Sequence, residues 1–286
     1  IVESYEKLAS QGEIEAMFNL GLIYLTGDGA KQDYTKAKEW FLKAANKNDT
    51  MSAYNLALIY KNGLGVPKND KEAYKYFLIA ANKNYAQAQY MLGTMVEKGQ
   101  GAKKDLKEAF SWFLKAAKQG HILSEYRVGK MYRLGEGVAK SDTEAKKWYE
   151  LSANKGNSFA QVNLGMMYKQ GVATKQDYKE AFNWFEKSAN QKNILGQLNL
   201  ALMYQNGLGV EKDLKEAFKL YQLASDEGNS SNAQYNLGLM YLKGDGIEKN
   251  IDKTIEYWTK SSEQGFEVAK NSLEKLCKES PNSCKK

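Results

Sequence analysis

The chain has 286 residues, a net charge of +7, 43% apolar and 26% charged residues, a balance that suits a folded protein in water. No apolar stretch approaches the ~20 residues that a membrane-spanning helix needs. The 41 basic residues are mostly lysines spread along the whole length without a run of five, and no RNA- or DNA-binding signature accompanies them, so nucleic acid is not an expected partner.

Residues 1–12 read as a lone helix, type B, because Tyr5, Ala9 and Gly12 hold the phase that Phe41, Ala45 and Asn48 hold in the next unit. Residues 13–48 then form a complete unit. Ala16, Leu20, Gly21 and Tyr24 make one stripe of a helix, type A. Gly27 and Gly29 end it, since glycine accepts the left-handed backbone at a helix C-terminus. Asp33 caps a second helix, B, whose apolar face is Ala37, Trp40, Phe41, Ala44 and Ala45; Asn48 closes the unit.

The unit recurs. Leu20-Gly21 is followed by Leu56-Ala57, Leu92-Gly93, Val128-Gly129, Leu164-Gly165, Leu200-Ala201 and Leu237-Gly238, at intervals of 36 residues and once 37. The extra residue is expected in the Ser230-Ser231 turn, where an insertion costs little. Helix B starts at Asp33, Asn69, Asp105, Ser141, Asp177, Asp213 and Asn250, all strong capping types. Three residues on stand Glu72, Glu108, Glu144, Glu180 and Glu216, which predicts a reciprocal capping box in five of seven copies. Small residues at the Gly21 and Ala37 slots let helices approach, and rings fill the space between: Tyr24 and its equivalents on A, Phe41 and its equivalents on B. Residues 266–286 read as a terminal helix A with a tail, Cys277 in the tyrosine slot and Ser280 in the first glycine slot. The expected fold is therefore all-α, one domain over 1–286, with seven helix-turn-helix repeats over 13–265 between two half-units. A fixed period of this length marks an α/α solenoid, and two prolines in the chain agree with it.

The pattern Ala-x-x-x-Leu-Gly-x-x-Tyr, a Gly-x-Gly turn, then Asp-x-x-x-Ala-x-x-Trp-Phe-x-x-Ala-Ala resembles the Sel-one-like repeat family over essentially the whole chain. The resemblance implies a right-handed superhelix and a role as adaptor, scaffold or inhibitor through protein binding. It also implies bacterial members that are exported, some of which neutralise secreted toxins. Val96, Ala173 and Thr254 depart from the pattern at single slots. Cysteine-rich secreted members carry a pair in most repeats; here Cys277 and Cys284 are the only two.

Those cysteines have no histidine nearby, which argues against zinc. A bridge would fit an oxidising compartment and free thiols the cytosol; the short loop with Pro281 favours the bridge. The chain begins at Ile1 without a basic-then-apolar leader, so removal of a leader and trimming both stay open. Periplasmic or secreted placement is the expectation, with the cytoplasm an open alternative. The single histidine, His121, lies in a B-to-A turn without a visible orienting partner and reads as an exposed turn residue, not a general base. The Gly-x-Gly turns follow helices and lack the P-loop lysine, so they read as helix terminators instead of phosphate cradles. The reading is non-catalytic, with neither cofactor nor metal.

The family resemblance places helix A on the concave face. Two residues before the small slot stand Asn19, Asn55, Met91, Arg127, Asn163, Asn199 and Asn236. An asparagine there suits the backbone or terminal carboxylate of a bound peptide, by likeness to tetratricopeptide domains. Bonding within or between repeats is the equal alternative. Nearby positions add Leu22, Leu58, Met166, Leu202 and Leu239, with Lys61, Lys169 and Gln205. The fourth repeat presents Arg127, Lys130 and Arg133 on one face, which reads either as a basic centre for an acidic or carboxylate-bearing partner or as a solvated strip. The expected function is a protein- or peptide-binding solenoid. The alternative is an immunity protein that neutralises a secreted bacterial toxin enzyme.

Overall fold

The computed structural model describes residues 1–284; Lys285 and Lys286, the end of the tail, lie outside the described residues. Among the described residues there are sixteen α-helices, one short 3-10 turn and no strand. The chain divides into two compact units, Ile1–Trp148 and Tyr149–Lys286.

The first unit opens on α1 (Val2–Ser10), a B helix, and continues through α2 (Ile14–Thr26), α3 (Tyr34–Asn46), α4 (Thr50–Asn62) and α5 (Asp70–Asn82). It goes on with α6 (Ala86–Lys98), α7 (Leu106–Lys118), α8 (Ile122–Leu134) and the first half of α9 (Asp142–Asn154). The second unit holds the rest of α9, α10 (Ser158–Gln170), α11 (Tyr178–Ala189), α12 (Ile194–Asn206) and α13 (Leu214–Gly228). It ends with α14 (Ser231–Lys243), α15 (Ile251–Glu263), α16 (Glu267–Glu279) and the 3-10 turn Pro281–Cys284. Even-numbered helices are type A and odd-numbered ones type B, and from α1 to α8 and again from α10 to α16 consecutive helices pack on each other. The expected repeats and both half-units are present.

Turn chemistry accounts for the alternation. Gly27 at the end of α2 has φ +80° and donates its N–H to Ile23 O. Ala173 takes the same kind of backbone at the second turn position with φ +56°, where other repeats use glycine. The Asp33 carboxylate accepts the Lys36 N–H at 3.0 Å and so starts α3. All seven predicted B caps accept such bonds. The reciprocal half of the capping box does not form. The cap's own N–H donates to the carbonyl of the preceding A helix, Asp33 to Tyr24, Asn69 to Tyr60 and so on through Asn250 to Tyr241, at 2.8–3.2 Å. The sharp turn folds helix B back so that this carbonyl reaches the N–H first. The glutamates are left to other partners: Glu108 accepts from Trp112 Nε1 at 3.3 Å, and Glu216 holds Lys219 at 2.9 Å.

The core of each unit is the seam between an A helix and the B helix that follows it. In the first unit Leu20, Leu56 and Leu92 pack with Phe41, Phe77 and Phe113, all fully buried. In the second, Phe185, Tyr221 and Trp258 take the ring slot. Each buried ring contributes roughly 1.5–3 kcal/mol. Gly21, Gly93 and Gly165 face these rings so closely that a Cβ would stand 2.5–2.7 Å from the Phe41, Phe113 and Phe185 rings. Thr254, in an alanine slot, stays satisfied because its hydroxyl donates to the Gly238 carbonyl at 3.1 Å.

Two expectations shift at the ends of elements. The extra residue is not in the Ser230-Ser231 turn. It lengthens α13 to 15 residues against the usual 13, and Ser230 keeps its place as the cap of α14. Gly228 lies close under Ile194 at that longer end, where a Cβ would stand 2.5 Å from the outer carbons of the Ile194 side chain. Ser280 does not take the left-handed backbone of a glycine slot; its φ is −135°, and the chain turns instead through Pro281–Cys284, where Cys284 is bridged to Cys277.

Candidate protein-binding face

Five of the A helices expose a large apolar side chain at one slot of their first turn, while Glu15, Gln87 and Asn232 hold that slot in the other three. In the first unit Met51 and Leu123 occupy the same slot in the first turn of their helices, with 47% and 46% of their surface open to water. In the second unit Phe159, Leu195 and Val268 hold that slot at 52%, 50% and 50%. One turn on come the asparagines. Asn55 Nδ2 donates to Met51 O, Asn163 to Phe159 O and Asn199 to Leu195 O, each at 2.9 Å. These amides are oriented by their own helix, and the Oδ1 of each takes no bond among the described residues. Asn19 and Asn236 are partly exposed in the same slot.

The basic residues of the fourth repeat separate into paired and unpaired. Arg127 is ion-paired with Glu97 of the preceding A helix, and its guanidinium lies 5.1 Å from the Phe113 ring centre. Its Nε is buried without an acceptor. Arg133 bonds Asp142 at 2.8 Å. Lys130 is partly exposed and has no ion-pair partner among the described residues. Two of the three charges expected at a basic centre are thus answered inside the protein. Lys61, at the end of α4, has a pKa below the ordinary lysine value, first through burial and then through the charge of Lys98. Lys169 is partly exposed at the corresponding place on α10, and its carbonyl accepts from Gln176 Nε2 at 2.9 Å.

His121 is not an exposed turn residue. It caps α8: Nδ1 accepts the Ser124 N–H at 3.3 Å and contacts Ser124 Oγ at 2.9 Å, and the ring packs 5.0 Å from the centre of Tyr90. Burial lowers its pKa. The sequence reading missed this whole set of A-helix caps, which includes Asp49, Asn157, Asn193 and Ser230. Their recurrence at multiples of 36 residues, interrupted at Tyr85, which does not cap, and shifted once by the inserted residue, was the available signal. Among the described residues no group of three or more His, Cys, Asp or Glu gathers as a metal site, and no helix is long and apolar enough to cross a membrane.

Comparison with known proteins follows the same repeats. The chain matches the Sel1 repeat at residues 14–49, 50–85, 86–121, 122–157, 158–193, 194–229 and 231–266. A protective antigen of uropathogenic Escherichia coli strains, with an SLR fold, is 35% identical and superposes with a TM-score of 0.89. That match takes in 96% of this chain but only 59% of the antigen's length. A Sel1 repeat protein from Oxalobacter formigenes is 28% identical, with a TM-score of 0.78 over 96% of this chain and 79% of its own. Yeast Tom70, 18% identical with a TM-score of 0.51 over 99% of this chain and 59% of its own, shares the fold alone. No curated protein sequence matches the chain.

Proposed function

The chain belongs to the Sel1 repeat family, and from that premise we propose that it is a non-catalytic scaffold holding a protein partner against the uncovered face of its A helices. The observation that carries this reading is the recurrence of a half-exposed large apolar residue in one A-helix slot: Met51 and Leu123 in the first unit, Phe159, Leu195 and Val268 in the second. A single exposed leucine needs no explanation, but a series in one slot, joined at Met51, Phe159 and Leu195 by the free amide oxygen of the asparagine one turn on, offers apolar anchors beside hydrogen-bond acceptors, the mixture that protein interfaces use. Such a face suits an extended peptide or the edge of a folded partner. The concave position of the face follows from the family resemblance. The Cys277–Cys284 bridge supports an oxidising compartment, periplasmic or extracellular.

The test is a paired substitution, Phe159→Glu with Leu195→Glu, in crosslinked pull-downs from the native cell. Both side chains are about half exposed, so helicity should hold while partner recovery falls. Equal recovery from wild type and variant rejects the reading. Recovery of an enzyme that the protein inhibits would turn it to the immunity alternative.

A further inference from the structure

The lysines are not evenly spread after all. In the first unit a cleft of 610 Å³ opens at the loop edge between the second and third repeats, where Lys68, Lys71 and Lys103 line it together with Asn69, Asp70 and the Gly99–Ala102 loop. Lys98 ends α6 next to Gly99, and Lys61 ends α4 within electrostatic reach of Lys98, Lys68 and Asp70. Three lining lysines and two at the margin therefore face one lining carboxylate, Asp70, which stands 3.8 Å from Lys68. The loop that makes the wall is firmly set: at Gly101, φ +72°, an added Cβ would stand 2.1 Å from Asp70 O.

The repeat supplies its own control. One repeat earlier the same five slots hold Leu25, Gln32, Thr35, Asn62 and Pro67, and one repeat later Glu97, Lys104, Lys107, Leu134 and Ala139. Where the fifth and sixth repeats meet, in the second unit, they hold Lys169, Gln176, Lys179, Asn206 and Glu211. A merely lysine-rich surface would not fill all five slots at one edge and none at the one before. Beside burial, the charges of Lys98 and Lys68 lower the pKa of Lys61, and Asp70 opposes them.

We propose that this lysine-lined cleft docks an acidic segment of a protein partner. The inference rests on the protein-binding reading and names the chemistry of one part of the partner. Carboxylates answer the five positive charges. The open shape of the cleft fits a loop of a larger molecule better than an enclosed small ligand. The site stands apart from Arg127 and Arg133, whose charges are already paired.

The experiment is fluorescence anisotropy with a labelled octaglutamate peptide on the full chain. Binding is expected, and it should weaken as salt rises from about 50 to about 300 mM, since the screening length shortens over that range. Lys98→Gln with Lys103→Gln should lower affinity about tenfold, with circular dichroism unchanged. The control pair Lys118→Gln with Lys215→Gln, remote in the repeat pattern, should leave it unaltered. Selective NMR of the lysine Cε groups should show the Lys61 pKa rising on peptide binding while circular dichroism stays unchanged, which separates the shift from the rise that unfolding would give by removing burial. Absence of binding, equal loss in the control pair, or tighter binding of a polyphosphate of matched charge overturns the proposal. If the peptide fails here while Phe159→Glu with Leu195→Glu still loses the cellular partner, only this site falls and the scaffold reading stands.

Discussion

Gly93 is where the packing account is most exposed to refutation. On helix propensity alone, Gly93→Ala should stabilise α6 by about 1 kcal/mol. The structure opposes that gain. A Cβ at Gly93 would stand 2.7 Å from one Phe113 ring carbon and 2.8 Å from a second, in a ring that is fully buried. Overpacking of this kind costs roughly 1–3 kcal/mol, so the net expectation is a loss of about 1 kcal/mol. The reverse change, Ala57→Gly opposite Phe77, should also destabilise, by roughly 1–2 kcal/mol, because propensity and a methyl's packing are both lost. Urea unfolding followed by circular dichroism gives each value, and Gly93→Ala combined with Phe113→Leu should recover part of the loss. A Gly93→Ala variant more stable than wild type, or strict additivity in the double variant, would refute the claim that this glycine exists to admit the ring.

Three further outcomes follow from the local structure. His121 must be neutral to accept the Ser124 N–H, and its folded pKa lies below the unfolded value of about 6.5. The unfolded chain therefore takes up the proton first, and stability present above that value declines as pH falls from it towards the folded pKa. His121→Asn keeps a capping side chain and should flatten the decline when Tm is compared at neutral and mildly acidic pH. Ala173→Gly relieves a left-handed alanine at φ +56° and should raise stability by about 0.5–1 kcal/mol in the same urea assay. Arg127→Ala leaves Glu97 partly buried without its cation. A double-mutant cycle with Glu97→Ala should show a coupling of about 1 kcal/mol once solvent screening is allowed for.

Most of the repeat was legible because local rules repeat with the period. The B caps, the αL glycines and the small slots each rest on a few neighbouring residues, and seven copies make each pattern visible. What escaped the sequence reading depends on how helices meet. The cap N–H finds the A-helix carbonyl nine residues back, as Asp33 finds Tyr24, and this closes off the reciprocal capping box. Arg127 meets Glu97 only because α6 and α8 lie side by side, so the expected basic centre was largely neutralised. The buried glutamines Gln89 and Gln161 behave likewise: exposed Gln119 donates to the first and exposed Gln191 to the second, each at 2.8 Å and each from 30 residues on. A search for like residues at that fixed offset would have found this ladder. The Lys61 to Lys103 cleft escaped because its five residues come from different loops and helix ends.

The central claim is that the uncovered A-helix face, not the B-helix face, receives the partner. It is tested most directly by placing a photo-crosslinking amino acid at Leu195 on α12 or at Leu223 on α13, both exposed, and irradiating the native cell. Crosslinks to a partner from position 195 and none from 223 are the predicted result; crosslinks from 223 with none from 195 would contradict it.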